Sequence, residues 1–224
     1  MSYILNIDTS GINCSVTIAD GSSILSCVEK AEPNIHGSQI TLFIQQACQE
    51  ANIDLKKLDA VSVSKGPGSY TGLRIGVSTA KGIAYALNIP LISTDTLLSL
   101  TQHALELYQN PQAVYIPMID ARRMEVYTQV FDSNLQVLES VNAKILDEHS
   151  LSNYFDQYPE LVIYGDGALK AIELFQNKKI KHVDILYSSS KYMLDQSWKK
   201  FNNKEFEDVA YFEPFYLKEF YFKK

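Results

Sequence analysis

The chain has 224 residues, 46% of them apolar and 21% charged, which is the composition of a globular protein with room for one large or two small cores. Its formal net charge of −6 disfavours direct nucleic-acid binding by this chain alone, because surfaces that bind phosphates are basic. No apolar run approaches the roughly 18 residues of a membrane span and the N-terminus lacks a signal-peptide pattern, so we expect a cytoplasmic protein.

Three strand-like segments open the chain, at residues 3–8, 14–20 and 24–28. The turn-forming runs SGIN and DGSS separate them, so the pattern predicts an antiparallel meander. A helix is predicted at 36–52, because apolar residues recur there at helical spacing while Leu42 stands on the opposite face.

Two strand–helix units are predicted after this first helix. The run LDAVSVS indicates a strand that leads into the glycine-rich turn GPGSYTG and a long helix at about 70–87. The run IPLIST indicates a second buried strand, followed by a helix at about 97–107.

The same layout returns in the second half of the chain. At an offset of 112 residues the two halves share five identities, of which Tyr3 with Tyr115 and Asp8 with Asp120 are two. The second half predicts strands at 115–120, 124–131 and 135–138, a helix near 148–154, the strand LVIYG, the turn GDGA with a helix, the short strand HVDIL and a final helix capped by Ser188, Ser189 and Ser190.

The order βββαβαβα, given twice, predicts an α/β fold in which each half is a mixed sheet with a three-strand meander and flanking helices. We expect the halves to face each other across a cleft. The predicted domains are 1–100 and 101–224, with the final helix and the tail packing back on the first domain. Two unrelated meanders remain the alternative to a duplication.

The glycine turn predicts close packing rather than a phosphate cradle. Gly66, Gly68 and Gly72 are spaced G-x-G-x-x-x-G, which matches neither the dinucleotide fingerprint nor the Walker pattern. Gly72 and Gly76 then begin a row of small residues every four positions along the following helix. Because glycine inside a helix costs about 0.5–1 kcal/mol relative to alanine, we expect a close backbone contact to offset that cost.

A second face of this helix carries small and weakly polar side chains. A helix that packs on its own sheet through one apolar stripe does not need a second such face. We therefore expect the second face to meet a partner helix, while tight packing within the subunit remains the alternative. Its members are Ile75, Ser78, Thr79 and Gly82.

The segment KGPGSYTGLRIGVSTAKGIAYAL resembles the signature of the bacterial TsaB (YeaZ) family. ILNIDTSG, IPMIDARRMEVY, YGDGA and FEPFYLK are similar to the family as well, so that the resemblance covers nearly the whole chain. The family belongs to the actin-like ATPase superfamily, and membership implies two duplicated ribonuclease-H-like domains.

The resemblance implies a role in tRNA modification. It implies a non-catalytic scaffold subunit of the complex that transfers threonylcarbamoyl to the adenosine beside the anticodon, in tRNAs that read codons beginning with A. The implied partners are the transferase TsaD, in a heterodimer, and the ATPase TsaE in a larger complex. A homodimer is implied for the chain alone, with tRNA reached only through the complex.

In the family the dimer contacts come from two helices of the N-terminal domain, here 36–52 and 70–87. The resemblance thus supports the second helix face as an interface, and it implies that the first helix contributes its exposed residues. The expected partner-interface residues are Thr41, Leu42, Gln45, Ile75, Ser78, Thr79 and Gly82.

No metal centre is predicted for this chain. TsaD-like relatives carry a His-x-x-x-His motif where this chain has Thr96 and Leu100, and neither residue supplies an imidazole. The three cysteines show no CxxC spacing, so they indicate neither a zinc site nor a disulfide framework. We expect no cofactor to be bound by this chain alone, while ATP and metal are implied for the partner subunits.

A small-molecule kinase or ATPase of the same fold is the alternative function. It would need Asp8 and Asp120 to hold a metal and a phosphate together. Both aspartates precede tight turns, where aspartate commonly binds its own backbone, and no phosphate hairpin follows either one. A self-contained peptidase lacks a base or metal. Residues that remain candidates for weak nucleotide contact are Asp8, Thr9, Ser10, Gly165 and Gly167.

The C-terminal run YFEPFYLKEFYF is dense in aromatic residues. Aromatic side chains left fully exposed favour aggregation. We therefore expect the tail to pack back on the body of the protein or to form part of a partner surface.

Overall fold

The computed structural model describes residues 2–176 and 179–218. The chain divides into two compact units, Met1–Ser99 with Ser188–Phe215, and Leu100–Tyr187 with the described residues that follow Phe215. The predicted domain boundary lies at residue 100, and the contacts assign the final helix and most of the described tail to the first unit. No helix in the described ranges is both long and apolar enough to cross a lipid bilayer.

The first unit is built on a five-stranded sheet in the order β3-β2-β1-β4-β5. The first three strands form the predicted antiparallel meander, and β4 and β5 extend it in parallel with β1. The elements to the end of this half are β1 (Tyr3–Asp8), β2 (Asn13–Asp20), β3 (Ser23–Ala31), α1 (His36–Ala51), a 3-10 helix (Leu55–Lys57), β4 (Ala60–Gly66), α2 (Tyr70–Leu87), β5 (Leu91–Asp95) and α3 (Thr96–Leu107).

The second unit repeats this topology in a sheet ordered β10-β9-β6-β7-β8. β6, β7 and β8 form an antiparallel meander, and β9 and β10 are parallel to β6, which confirms the predicted mixed sheets. The remaining elements are β6 (Val114–Asp120), β7 (Glu125–Phe131), β8 (Val137–Ile145), α4 (Ser152–Gln157), β9 (Leu161–Tyr164), α5 (Ala168–Leu174), β10 (Ile180–His182), a 3-10 helix (Ser190–Met193) and α6 (Leu194–Asn203).

Two predicted strands are misplaced. β8 begins two residues later than predicted and runs to Ile145, because Leu135 has a φ of 63° and belongs to the preceding turn. The predicted strand HVDIL is wrong, since β10 pairs with the short β9 only through Ile180–His182. The helix predicted near 148–154 begins at Ser152, after a turn in which the amide of Asp147 donates to Ser150 Oγ at 2.7 Å.

The serine cap predicted for the last helix is also wrong. Ser189 makes no side-chain cap, and its hydroxyl donates instead to Glu29 of β3 at 2.5 Å. The amide of Ser190 donates to Ser15 Oγ of β2 at 2.8 Å. These serines therefore hold the C-terminal segment against the first sheet.

One face of the first sheet carries the main hydrophobic core. Strand residues on this face alternate with residues on the other face, and α1 and α2 cover them with the apolar stripes that their sequences predict. The buried members include Leu5, Ile7, Val16, Val61 and Val63 of the sheet, Ile40, Phe43, Ile44 and Ala47 of α1, and Val77, Ala80 and Ala84 of α2. Both helices are thus fixed side by side on one sheet.

Candidate functional site

The glycines after β4 lie against the end of β1. A Cβ atom added at Gly68 would lie 2.3 Å from the carbonyl oxygen of Ser10, and one added at Gly72 would lie 2.1 Å from that of Thr9. At Gly76 a Cβ would lie 2.2 Å from Thr9 Oγ1. Real side chains do not approach backbone this closely. These three glycines therefore allow the start of α2 to pack on residues 9 and 10 within the first unit.

Hydrogen bonds close the same contact and engage two amides at the start of α2. The amide of Ser69 donates to the carbonyl of Ser10 at 2.7 Å. Ser69 Oγ caps the helix by accepting the Gly72 amide at 3.3 Å. A helix N-terminus binds anions through free amides, so these two amides are not available to a phosphate.

Asp8 is fully buried at the end of β1. Its Oδ1 atom accepts the amide of Ser10 at 2.8 Å and the Ser10 hydroxyl at 2.6 Å, as in a turn that aspartate caps itself. Its Oδ2 atom has no hydrogen-bond partner among the described residues. Burial, with the Asp8 charge as a second cause, raises the pKa of the neighbouring Cys14 thiol to about 12.

The second unit repeats the glycine contact. The amide of Gly167 donates to the carbonyl of Met118 at 2.9 Å, and a Cβ added at Gly165 would lie 2.2 Å from that carbonyl oxygen. In both halves, glycines after the fourth strand let the chain approach the end of the first. The glycines of the YGDGA segment thus take part in packing within the second unit.

Asp120, the counterpart of Asp8, is engaged by its own surroundings. Its Oδ1 atom accepts the amide of Arg122 at 2.6 Å and lies 2.9 Å from the ammonium of Lys170. Asp166 accepts the amide of Asp120 at 2.8 Å, and burial raises the pKa of the Asp166 carboxyl. The Asp120 carboxylate is therefore partly neutralised within its own unit.

Thr96 and Leu100 have structural roles. The hydroxyls of Thr96 and Ser64 are 2.6 Å apart and buried, and Leu100 is a buried apolar residue. Within residues 2–176 and 179–218 no three His, Cys, Asp or Glu side chains lie together in a way that could hold a metal ion.

The expected interface residues lie on the outer surface of the two neighbouring helices. Thr41, Leu42 and Gln45 are exposed on α1, and the Leu42 side chain is 53% exposed. On α2, Ser78 and Gly82 are exposed, whereas Ile75 and Thr79 are half-buried. We call these seven residues the helix-pair face.

The two helices that carry the helix-pair face contact each other, and the surface at Gly82 is open. A Cβ added at Gly37 of α1 would lie 3.8 Å from Ile75 Cδ1, so that the two helices are in contact. A Cβ added at Gly82 would meet nothing within 4 Å. The small-residue row that contains Gly72 and Gly76 is buried on the opposite side of α2. Tight packing within the subunit therefore explains that row, and it leaves the helix-pair face open.

Two exposed tyrosines near this face were missed in the sequence. Tyr85 of α2 is 82% exposed, and Tyr211 of the C-terminal segment is 84% exposed. Tyr85 lies three residues after Gly82, so the helical period itself placed it near the face. No local pattern could place Tyr211, because its position depends on where the chain returns.

The aromatic tail packs on the first unit as far as Phe215. The ammonium of Lys81 donates to the carbonyls of Ala210 and Phe212 at 3.1 and 2.9 Å. The amide of Phe215 donates to the carbonyl of Lys65 at 2.8 Å. The end of the tail, residues 219–224, lies outside the described residues.

Comparisons with known proteins agree on one family. The family model of TsaD, tRNA N6-adenosine threonylcarbamoyltransferase, matches residues 29–222. A TsaB protein of tRNA threonylcarbamoyladenosine biosynthesis from Haemophilus influenzae is 29% identical over 224 residues, covering 96% of this chain and 93% of the relative. Its counterpart from Buchnera aphidicola subsp. Schizaphis graminum is 31% identical, covering 84% and 89%.

The solved structure of YeaZ from Pseudomonas aeruginosa superimposes on this chain with a TM-score of 0.84, at 23% identity, covering 97% of this chain and all of the other. At that identity the likeness shows the fold alone. It confirms the α/β fold with two mixed sheets that the sequence predicts.

Proposed function

This chain belongs to the TsaB (YeaZ) family of tRNA threonylcarbamoyladenosine biosynthesis proteins, and from that premise we propose that it is a non-catalytic subunit that binds a TsaD-type transferase. In this proposal the pair, joined by the ATPase TsaE, transfers threonylcarbamoyl to the adenosine beside the anticodon, in tRNAs that read codons beginning with A.

The helix-pair face is the observation that carries the proposal. It presents exposed or half-buried residues, several of them small and the Leu42 side chain apolar, on two helices whose other sides pack into one core. The open space at Gly82 allows a partner helix to approach closely. Because the transferase's own family model matches most of this chain, the partner shares the fold and offers an equivalent helix pair. A homodimer of this chain would use the same face on both copies.

A non-catalytic role accords with the contacts of the two turns. Lys170 and the Arg122 amide engage Asp120, while the Ser69 and Gly72 amides at the start of α2 donate to Ser10 and to the Ser69 hydroxyl. The partner subunits then supply ATP and metal chemistry. The net charge of −6 supports tRNA binding through the complex rather than by this chain.

Substitution of Gly82 by arginine tests the proposal. Gly82 is exposed and a Cβ added there meets nothing within 4 Å, so we expect the variant to fold, while its guanidinium blocks the approach of a helix. We expect the wild type to form a heterodimer with its cognate transferase in size-exclusion chromatography with light scattering, and Gly82→Arg to remain separate.

Leu169→Arg is the matched control, because Leu169 is a 54% exposed helical residue of the second unit. It should bind as the wild type does. Unchanged co-elution of Gly82→Arg with the transferase would remove the helix-pair face from the proposal.

The alternative, a small-molecule kinase or ATPase of the same fold, is favoured by one observation. Asp8 Oδ2 is buried without a hydrogen-bond partner among the described residues, as an oxygen awaiting a cation or water would be. That function would require ATP turnover that depends on Asp8 and Asp120.

A further inference from the structure

Hydrogen bonds hold the backbone of the C-terminal segment on both sides of Tyr211. Lys81 binds the carbonyls on both sides of it, those of Ala210 and Phe212. Asp208 Oδ1 accepts the amides of Ala210 and Tyr211 at 2.8 and 3.2 Å, and the Asp208 carbonyl accepts the Phe212 amide at 2.8 Å. Phe212 packs against the core that lies under α2. The backbone is thus anchored at both sides while the phenol ring stays 84% exposed.

Tyr85 connects this segment with the helix-pair face. It lies one helical turn after Lys81, which anchors the segment, and three residues after Gly82, which belongs to the face. Residues three and four apart are neighbours on a helix surface. The exposed surface of α2 therefore has α1 beside Ile75 on one side and residues 210–212 beside Lys81 on the other.

The exposed rings of Tyr85 and Tyr211 are large compared with the area that a stable protein complex needs to bury. A specific interface buries about 800 Å² on each partner. Apart from Leu42, Gln45 and Ile75, the helix-pair face contributes only short side chains and a glycine, whereas a tyrosine buries about 150–250 Å² and is enriched among the residues that dominate binding energy. Tyr85 and Tyr211 together would supply a large share of the required area.

We propose that the transferase-binding surface has three parts, namely the exposed sides of α1 and α2 and, as the third part, residues 210–212. Tyr211 and Tyr85 are its aromatic anchors, and Lys81 is the residue that positions Tyr211. This inference rests on the proposed function. The partner surface opposite must offer apolar cover for two rings and acceptors for two phenol hydroxyls. The Lys81 ammonium acts through the segment, since two carbonyls already bind it.

Affinity for the cognate transferase, measured by isothermal titration calorimetry on the full chain, tests the aromatic anchors. We expect Tyr85→Ala and Tyr211→Ala each to weaken binding about tenfold, as for ring truncation at an interface centre. Leu169→Ala, at a comparably exposed position in the second unit, should change affinity less than about twofold.

A double-mutant cycle tests the role of Lys81. Lys81→Met should weaken binding about as much as Tyr211→Ala, and the double variant should be no weaker than Tyr211→Ala alone. Lys81→Arg should recover most of the affinity because it keeps the donors. Hydrogen exchange of the Tyr211 and Phe212 amides in the free chain should rise in Lys81→Met only.

Gly82→Arg separates this inference from the proposed function. If it abolishes binding while both tyrosine variants bind as the wild type does, the third part of the surface is wrong and the helix-pair face stands. If the Lys81 and Tyr211 effects add independently, Lys81 does not position Tyr211. Binding that Gly82→Arg leaves unaffected removes the helix-pair face, and with it this inference, whereas a wild type that does not bind the transferase overturns the proposed function.

Discussion

The hydroxyl of Thr9 donates a 2.8 Å hydrogen bond to the carbonyl of Gly72, and it joins the end of β1 to the first turn of α2 across 63 residues of sequence. Only a glycine at 72 admits Thr9 at this distance, because an added Cβ would lie 2.1 Å from the Thr9 carbonyl oxygen. The glycine-rich turn is therefore a packing device that fixes where α2, and with it the helix-pair face, lies on the sheet.

Alanine substitutions at two glycines of α2 should have opposite effects on stability. Gly72→Ala should lower the free energy of unfolding by about 2–3 kcal/mol, because its methyl group must displace backbone. Gly82→Ala should raise it by about 0.5–1 kcal/mol, since its Cβ meets nothing and alanine favours the helix. Urea unfolding of the two variants measures both effects, and equal stabilities would contradict this account of the turn.

Glu29 should make stability depend on pH. It accepts hydrogen bonds from Ser189, Lys191 and Asn13. Burial raises the pKa of the Glu29 carboxyl, but the bonds from Ser189 and Lys191, the Lys191 charge and the Asn13 bond outweigh it and lower the pKa below its ordinary value of 4.5. The ionised group thus stabilises the fold above that value, and this contribution is lost as the pH falls through the lowered pKa.

Glu29→Gln should therefore be less stable than the wild type by about 1–2 kcal/mol near pH 7. The difference should shrink below pH 4.5, where the wild-type carboxyl begins to lose its charge. Thermal unfolding at pH 7 and at pH 3.5 gives both values. A difference that grows on acidification would show that the ionised carboxylate does not stabilise the fold.

Cys14 should resist alkylation in the folded protein. Burial and the Asp8 carboxylate raise its pKa to about 12, so at pH 8 only about one thiol in ten thousand is ionised, and the thiolate is the reactive form. Cys27 and Cys48 are half-buried and should react sooner. Mass spectrometry after iodoacetamide treatment, with and without urea, distinguishes the three sites. Rapid labelling of Cys14 in the native chain would contradict its burial.

The purified chain should not turn over ATP at a rate that depends on Asp8 or Asp120. Asp120 is paired with Lys170, and Asp8 binds the turn that follows it through Oδ1. We expect phosphate release by the wild type to equal that of Asp8→Asn and Asp120→Asn. A rate that disappears in Asp8→Asn would favour the kinase or ATPase alternative.

Local signals in the sequence predicted most helices and strands. α2 has the predicted bounds, Tyr70–Leu87, because its apolar period, the Ser69 cap and the left-handed Asn88 all act within a few residues of the helix ends. The two meanders were predicted for the same reason, since alternation and tight turns are local. The α2 residues of the helix-pair face follow from the helical period, whereas the α1 residues were expected from the family resemblance.

Contacts between distant parts of the chain decided the rest. The length of β8 depends on pairing with β7. The Ser189 hydroxyl binds Glu29, 160 residues away in sequence, instead of capping the last helix. The duplicated order of elements and the exposed side of each helix follow from the sequence, because periodicity depends on neighbouring residues. The packing of the glycines on Thr9 and the position of Tyr211 near α2 depend on tertiary contacts, since such close contacts exist only once remote segments have folded together.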